Sequence, residues 1–240
     1  MSGDVRYIVT IVALYTLGLA VTFVGSRAGG SAARLAFPSA NELLAADERA
    51  PVLYLRSFHD DDLAIHRRTT EKYAERNTYS PQKAVNLELA IADQLVKYGP
   101  LIAIGRPSET KPNLAAARAY FDDTEWQDAA QQWIDSAALI VMLAGKTEGV
   151  RWELDRIVHQ SHDDKLLVLF PPYRRGATER TVVLEVFGIN SEEVPLKRLM
   201  ALCRFGTQRL ILLYASKFFE KEYEQAICLA SYSLFYEQSI

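Results

Sequence analysis

Hydrophobic and polar positions change period several times along the chain, and each change marks an element. From Tyr7 to Ser26 no side chain is charged, and Arg6 and Arg27 close the two ends. About 20 such residues make roughly 30 Å of helix, enough to cross a hydrocarbon layer. Residues 28–50 read as a juxtamembrane connector, flexible at Gly29-Gly30-Ser31, with a short helix over Ser39 to Asp47 capped by Ser39 or Asn41. A folded domain over residues 51–240 follows. Its strands are expected at Val52–Leu55, Leu101–Ile104, Ala138–Ala144, Lys165–Phe170 and Arg209–Ala215, short apolar runs bounded by polar or turn residues. A helix is expected over Asn86–Tyr98, where Leu87, Ile91 and Leu95 share a face and Gly99-Pro100 stop it. Another spans Glu125–Ser136, capped by Asp123 or Thr124. Helical pieces follow at Val182–Phe187 and Pro195–Cys203, and a last helix at Phe218–Phe235. His66–Pro81 is charged and without period, an exposed insertion. Gly105-Arg106-Pro107 and Lys111-Pro112-Asn113 mark a long loop.

The stretch from Asp135 to Val158 organises this pattern. Ala138–Ala144 is apolar on both faces, as suits a central strand covered by helices on either side. From Gly149 the period becomes helical: Val150, Leu154, Ile157 and Val158 fall on one face, Arg151, Asp155 and Arg156 on the other. A helix therefore starts at the carboxyl end of a buried strand, where open α/β sheets place their ligand crevice. Glu153 sits about one turn into it. Strands alternating with helices predict an α/β domain with a parallel sheet covered on both faces.

Charge and cysteine content narrow the classes. The formal net charge is −3, which gives no electrostatic case for nucleic acid. Cys203 and Cys228 lie among apolar residues without metal-ligand spacing, and read as buried free thiols of a reducing compartment. Arg27 and Arg34 beyond the apolar span, against Arg6 and Asp4 before it, place the C-terminal bulk in the cytoplasm of a single-pass membrane protein. The rival reading is a cleaved signal peptide, to which Ser26-Arg27-Ala28 bears a faint likeness; the apolar run is longer than a signal core. The chain has no Gly-x-Gly-x-x-Gly after its first strand, no Gly-Lys-Ser/Thr loop and no Gly-x-Ser-x-Gly elbow. No metal site is expected. His159 and His162 suit a helix end, and His59-Asp60-Asp61-Asp62 is more simply a solvated loop than a cation site.

Two motifs resemble the TIR (Toll/interleukin-1 receptor) domain in a divergent bacterial form. Leu55-Arg56-Ser57-Phe58-His59-Asp60-Asp61 is similar to that family's first strand and polar acidic loop. Thr147, six residues before Glu153-Leu154 and after an aliphatic strand, is similar to its Ser/Thr-to-Glu spacing. The family's Trp-Cys between these positions reads Gly149-Val150 here, with the tryptophan at 152. The resemblance implies a flavodoxin-like sheet and self-association into a homo-oligomer. In enzymatic members it further implies cleavage of the nicotinamide–ribose bond of NAD+ as substrate, with no cofactor and with Glu153 as catalytic carboxylate. In that reading Arg56 faces the pyrophosphate, Phe58, Trp126 or Trp152 stacks on a base, and Ser57 and Thr147 complete the substrate-binding set.

Plainer readings stand beside these. Glu153 suits the first turn of a surface helix, where a negative charge complements the dipole. Arg56 has acids to pair with in Asp60–Asp62, Trp126 and Trp133 are seven apart as core residues are, and Thr147 is a helix cap. Two other functions share the expected fold: a non-catalytic self-association module, and an enzyme like the nucleoside deoxyribosyltransferases, which also sets a glutamate at a ribose.

Overall fold

The computed structural model describes residues 38–60, 63–66, 84–105, 115–122, 124–172, 177–205 and 209–236. The apolar span 7–26 and most of the insertion 66–81 lie outside the described residues. Among those described, no helix is long and apolar enough to cross a membrane.

The folded unit starts at Pro38, so the second half of the expected connector belongs to it. Helix α1 (Ala40–Ala46) is opened by a capping box in which Ser39 and Glu42 satisfy each other's backbone N–H. Its Ala40 is fully buried. Arg49 donates to the carbonyl of Lys97 at 2.9 Å, and Ala50 runs so close to Gly99 that a Cβ there would lie 2.2 Å from the Ala50 carbonyl oxygen. Close backbone approach is what glycine permits.

Nine strands are described: β1 (Val52–Leu55), β2 (Ala64–His66), β3 (Ala84–Asn86), β4 (Leu101–Ile104), β5 (Ala117–Ala119), β6 (Leu139–Leu143), β7 (Leu166–Leu169), β8 (Leu199–Phe205) and β9 (Arg209–Tyr214). β2 and β3 pair antiparallel on their own, and the other seven form one sheet in the order β5-β4-β1-β6-β7-β8-β9. The five strands from β5 to β7 are parallel, whereas β8 runs antiparallel to β7 and β9 to β8. The protein is thus α/β with a mostly parallel sheet. A wholly parallel sheet is corrected at one edge.

Every residue of β1, β4, β6 and β7 is buried, because helices cover both faces. Helices α2 (Leu87–Leu95) and α6 (Glu220–Tyr236) pack in one apolar cluster with Val52, Tyr54, Val141 and Leu167. The chain steps from β1 through α2 to β4 in one direction. It then returns across the sheet through α3 (Trp126–Ser136) to β6, and through α4 (Glu148–His159) to β7. Right-handed crossovers in opposite directions put α3 and α4 on the face opposite α2. Helix α5 (Ala177–Val186) follows β7.

Pro195–Cys203, expected to be helical, is instead a short 3₁₀ turn at Leu196–Arg198 followed by β8. Its Leu, Met, Ala, Lys and Arg residues favour helix, but Leu199 to Cys203 are all buried beside β7, and tertiary burial overrides propensity. Strand β5 and the β2–β3 pair, three residues each, carry too short a pattern to be expected. The N-cap of α3 is Glu125, without a side-chain capping bond, in place of Thr124; Asp123 lies outside the described residues. Cys203 is buried as expected, its thiol pushed up to about 11 by that burial. Cys228 is exposed, because it falls on the outer face of α6.

Arg180 locks the antiparallel edge. It is fully buried, donates to the carbonyls of Pro171 (2.7 Å) and Leu199 (3.0 Å), and lies over the rings of Phe170 and Phe218. Arg180→Leu leaves those carbonyls without these donors, so it should cost about 3 kcal/mol. A fall in the urea midpoint of the full-length chain measures it; a loss under about 0.5 kcal/mol would show that the clamp is dispensable.

Candidate active site

Strand order reverses direction at β1, whose neighbours β4 and β6 are reached by opposite crossovers. Such a switch point opens a crevice beyond the carboxyl ends of the strands. A cavity of about 220 Å³ lies there, walled by the ends of β1 and β4, the loop after β1 and the start of α4. Six of the seven residues singled out from the sequence line it: Arg56, Ser57, Phe58, Trp126, Thr147 and Glu153. Trp152 does not. It stands edge-on against Trp126, with ring centroids 5.1 Å apart, and carries the Arg156 guanidinium over its ring. Trp126 provides the wall instead of serving only as core, and Trp133 backs another wall residue, Phe121.

Helix α4 explains the position of Glu153. Val150, Leu154 and Ile157 form its buried stripe, and Glu153 belongs to the same stripe by its i+3 and i+4 spacings. It is the sixth residue of the helix and only 7% exposed, which removes the reading as a first-turn surface charge. Its Oε2 has no hydrogen-bond partner among the described residues, a rare condition for a buried carboxyl oxygen. Burial drives its pKa up to about 8, although the nearby Arg56 charge pulls the other way. The group is mostly neutral at pH 7. Thr147 stands at the N-cap with extended backbone, but its hydroxyl makes no capping bond. Gly145 brings this loop against the one after β1: a Cβ there would sit 3.3 Å from the Ser57 Cβ.

On the opposite wall, Tyr54, Arg56 and Phe58 follow at alternate positions, and the Arg56 guanidinium lies 5.7 Å and 5.8 Å from the two ring centroids. Arg56 is buried and donates to the carbonyl of Ile104 at 2.8 Å. Its acidic partner is Glu88 on α2, with Nε 3.7 Å from Oε2. This partner adds to the pairing expected within Asp60–Asp62, of which Asp61 and Asp62 lie outside the described residues. Arg118 of β5 holds the same Glu88 with Nη2 at 2.9 Å and 3.2 Å from its two oxygens, and the Ala116 N–H adds a third donor. Ser57 bonds within its own loop, accepting from the His59 N–H and sharing a 3.3 Å contact with the ring Nδ1.

Sequence reasoning missed Glu88, Arg118, Tyr54 and Phe121. The signal for Glu88 was present: it shares the i, i+3, i+7 stripe with Ile91 and Leu95, so the helical wheel puts it inside. Among the described residues no group of three His, Cys, Asp or Glu is placed to hold a metal ion. His159 and His162 are engaged at helix ends, with the Asp155 carbonyl and the Asp135 carboxylate. Compared with known proteins, the chain matches no family model, no curated protein and no solved structure.

The raised pKa fixes the sign of a stability test. Between about 4.5 and about 8 the folded chain holds a proton on Glu153 that the unfolded chain releases, so this group's contribution to stability falls as pH rises through that window. Glu153→Gln carries no such term. It should be more stable than the wild type by a margin that is near zero at pH 4.5, grows to about pH 8 and then levels off, reaching on the order of a few kcal/mol. Denaturant titrations of both chains across pH measure this. A variant less stable at pH 8 would contradict the burial of an uncompensated carboxyl.

Proposed function

We propose that this chain is a membrane-anchored, TIR-like enzyme that cleaves the nicotinamide–ribose bond of NAD+, with Glu153 as its catalytic carboxylate. One observation carries the reading: a buried carboxyl with an unbonded oxygen faces an aromatic-walled cavity at the switch point of the sheet. A sheet of this class and the motifs around Arg56 and Glu153 support it as well. The cavity is smaller than the roughly 300–1,000 Å³ of sites that enclose a whole ligand. It suits one end of a dinucleotide, the base with its ribose, while the rest crosses the rim.

The chemistry follows from charge. Nicotinamide leaves as a neutral molecule, so no general acid is needed. The C1′–N bond breaks with its electron pair going to the ring nitrogen, and positive charge grows on the ribose. An ionised Glu153 stabilises that charge strongly where water is excluded. Water then adds at C1′ and its proton passes to solvent. Because the substrate arrives as a pyridinium cation, its binding favours the ionised carboxyl. Arg56 is the candidate for an anionic part of the substrate, and Phe58 and Trp126 are the ring faces a base can stack on. Residues 7–26 hold the domain at the membrane, its bulk in the cytoplasm, and copies associate there into a homo-oligomer.

The test is nicotinamide release by the full-length chain held at high local concentration. The wild type should turn over, with kcat/KM rising about tenfold per pH unit below pH 8 and flat above it, as the free enzyme's carboxyl ionises. Glu153→Gln should fold and lose at least about a hundredfold in rate. Base exchange between deoxynucleosides with NAD+ inert would point to the deoxyribosyltransferase-like chemistry. No turnover at all, with association intact in Glu153→Gln, would leave a non-catalytic module.

A further inference from the structure

Two carboxylates coupled to Arg56 live in opposite surroundings. Glu88 receives Arg118 on both oxygens and the Ala116 N–H on one, while the Oε2 of Glu153 receives nothing among the described residues. Arg56 is tied to the Ile104 carbonyl, lies 3.7 Å from Glu88, and lines the same cavity as Glu153, on which its charge acts. We propose that Glu88 is a positioning residue: braced by Arg118, it draws the Arg56 guanidinium toward α2 and away from Glu153, and so sets how readily that carboxyl ionises.

Electrostatics gives the direction of each effect. Arg118, Glu88 and Arg56 form a buried chain of alternating charge, and the charge of Arg56 in turn acts on Glu153. Glu88 acts on Glu153 through Arg56, by compensating the arginine that would otherwise favour ionisation. Removing its charge therefore favours the ionised form of Glu153. Arg118 acts in the reverse sense. Without it Glu88 leans harder on Arg56, and Glu153 loses part of that cation's help. The other titratable groups lining the cavity are Tyr54 and His59. Glu125 and Asp128 on α3, and Glu148, Arg151 and Arg156 on α4, are exposed.

The inference rests on the proposed function for its meaning in turnover, but its test reads the carboxyl itself. Glutamate side chains of the full-length chain are labelled at the carboxyl carbon and titrated by NMR, with the Glu153 signal identified by its loss in Glu153→Gln. Glu88→Gln should lower the Glu153 midpoint by about one pH unit or more, and Arg118→Gln should raise it. Mere loosening of the fold would admit water and lower the midpoint in both variants; shifts in the same direction, or none, overturn the proposal. If a single variant does not fold, Glu88→Gln/Arg118→Gln removes both buried charges together. Its midpoint should still fall, because the carboxylate that draws on Arg56 is gone, and an unchanged midpoint overturns the proposal. A wild type that releases no nicotinamide but shows the opposed shifts keeps the role of Glu88 and loses the catalytic reading. Turnover without the opposed shifts does the reverse.

Discussion

A carboxyl group buried at a cavity wall, beside an arginine that other groups already hold, is the constraint that shapes this molecule. Glu153 cannot retreat to solvent, because Val150, Leu154 and Ile157 pin its helix to a sheet buried on both faces. It cannot be neutralised fully by Arg56, because Glu88 and the Ile104 carbonyl hold that guanidinium. The protein therefore keeps a proton on Glu153 at a cost in stability. Sites that trade stability for a poised group are where function concentrates.

Two buried arginines show what makes one position chemical and another structural. Arg56 and Arg180 each donate to a main-chain carbonyl at the carboxyl end of a parallel strand, Ile104 of β4 and Pro171 just past β7. Arg180 is enclosed by Phe170 and Phe218 and joins β7 to the antiparallel edge. Arg56 lies at the switch point, where the strands diverge and a cavity opens, and a carboxyl faces it across that space. The topology of the sheet, more than the residue type, separates the two roles.

The central strands are legible in the sequence because a short run apolar on both faces suits little besides a covered strand, and β1, β4, β6 and β7 all lie where such runs stand. The helix after β6 is legible through its regular stripe. What escapes are features decided by distant partners. Strand β5 is three residues of small and basic character, and becomes a strand only beside β4. β8 has a helix-former's composition and is held extended by β7 and Arg180. At the site, motif spacing marks the loop after β1 and Glu153. Glu88 is harder to see, although its helical stripe places it inside, because a charged residue in such a stripe is ordinarily solvated. Trp152 adjoins Glu153 in sequence, yet successive helical residues point about 100° apart, and it backs Trp126 instead of facing the cavity.

The most direct test counts protons on ligand binding. Carba-NAD+, a carbocyclic analogue that keeps the pyridinium charge, is titrated calorimetrically into the full-length chain at pH 7 in buffers of different ionisation enthalpy. A carboxyl with its midpoint near 8 that ionises against the bound cation should release close to one proton per site, and Glu153→Gln should release none. Binding with no proton release, or with the same release in Glu153→Gln, would mean that this carboxyl does not meet the substrate's charge, and the catalytic account would fall.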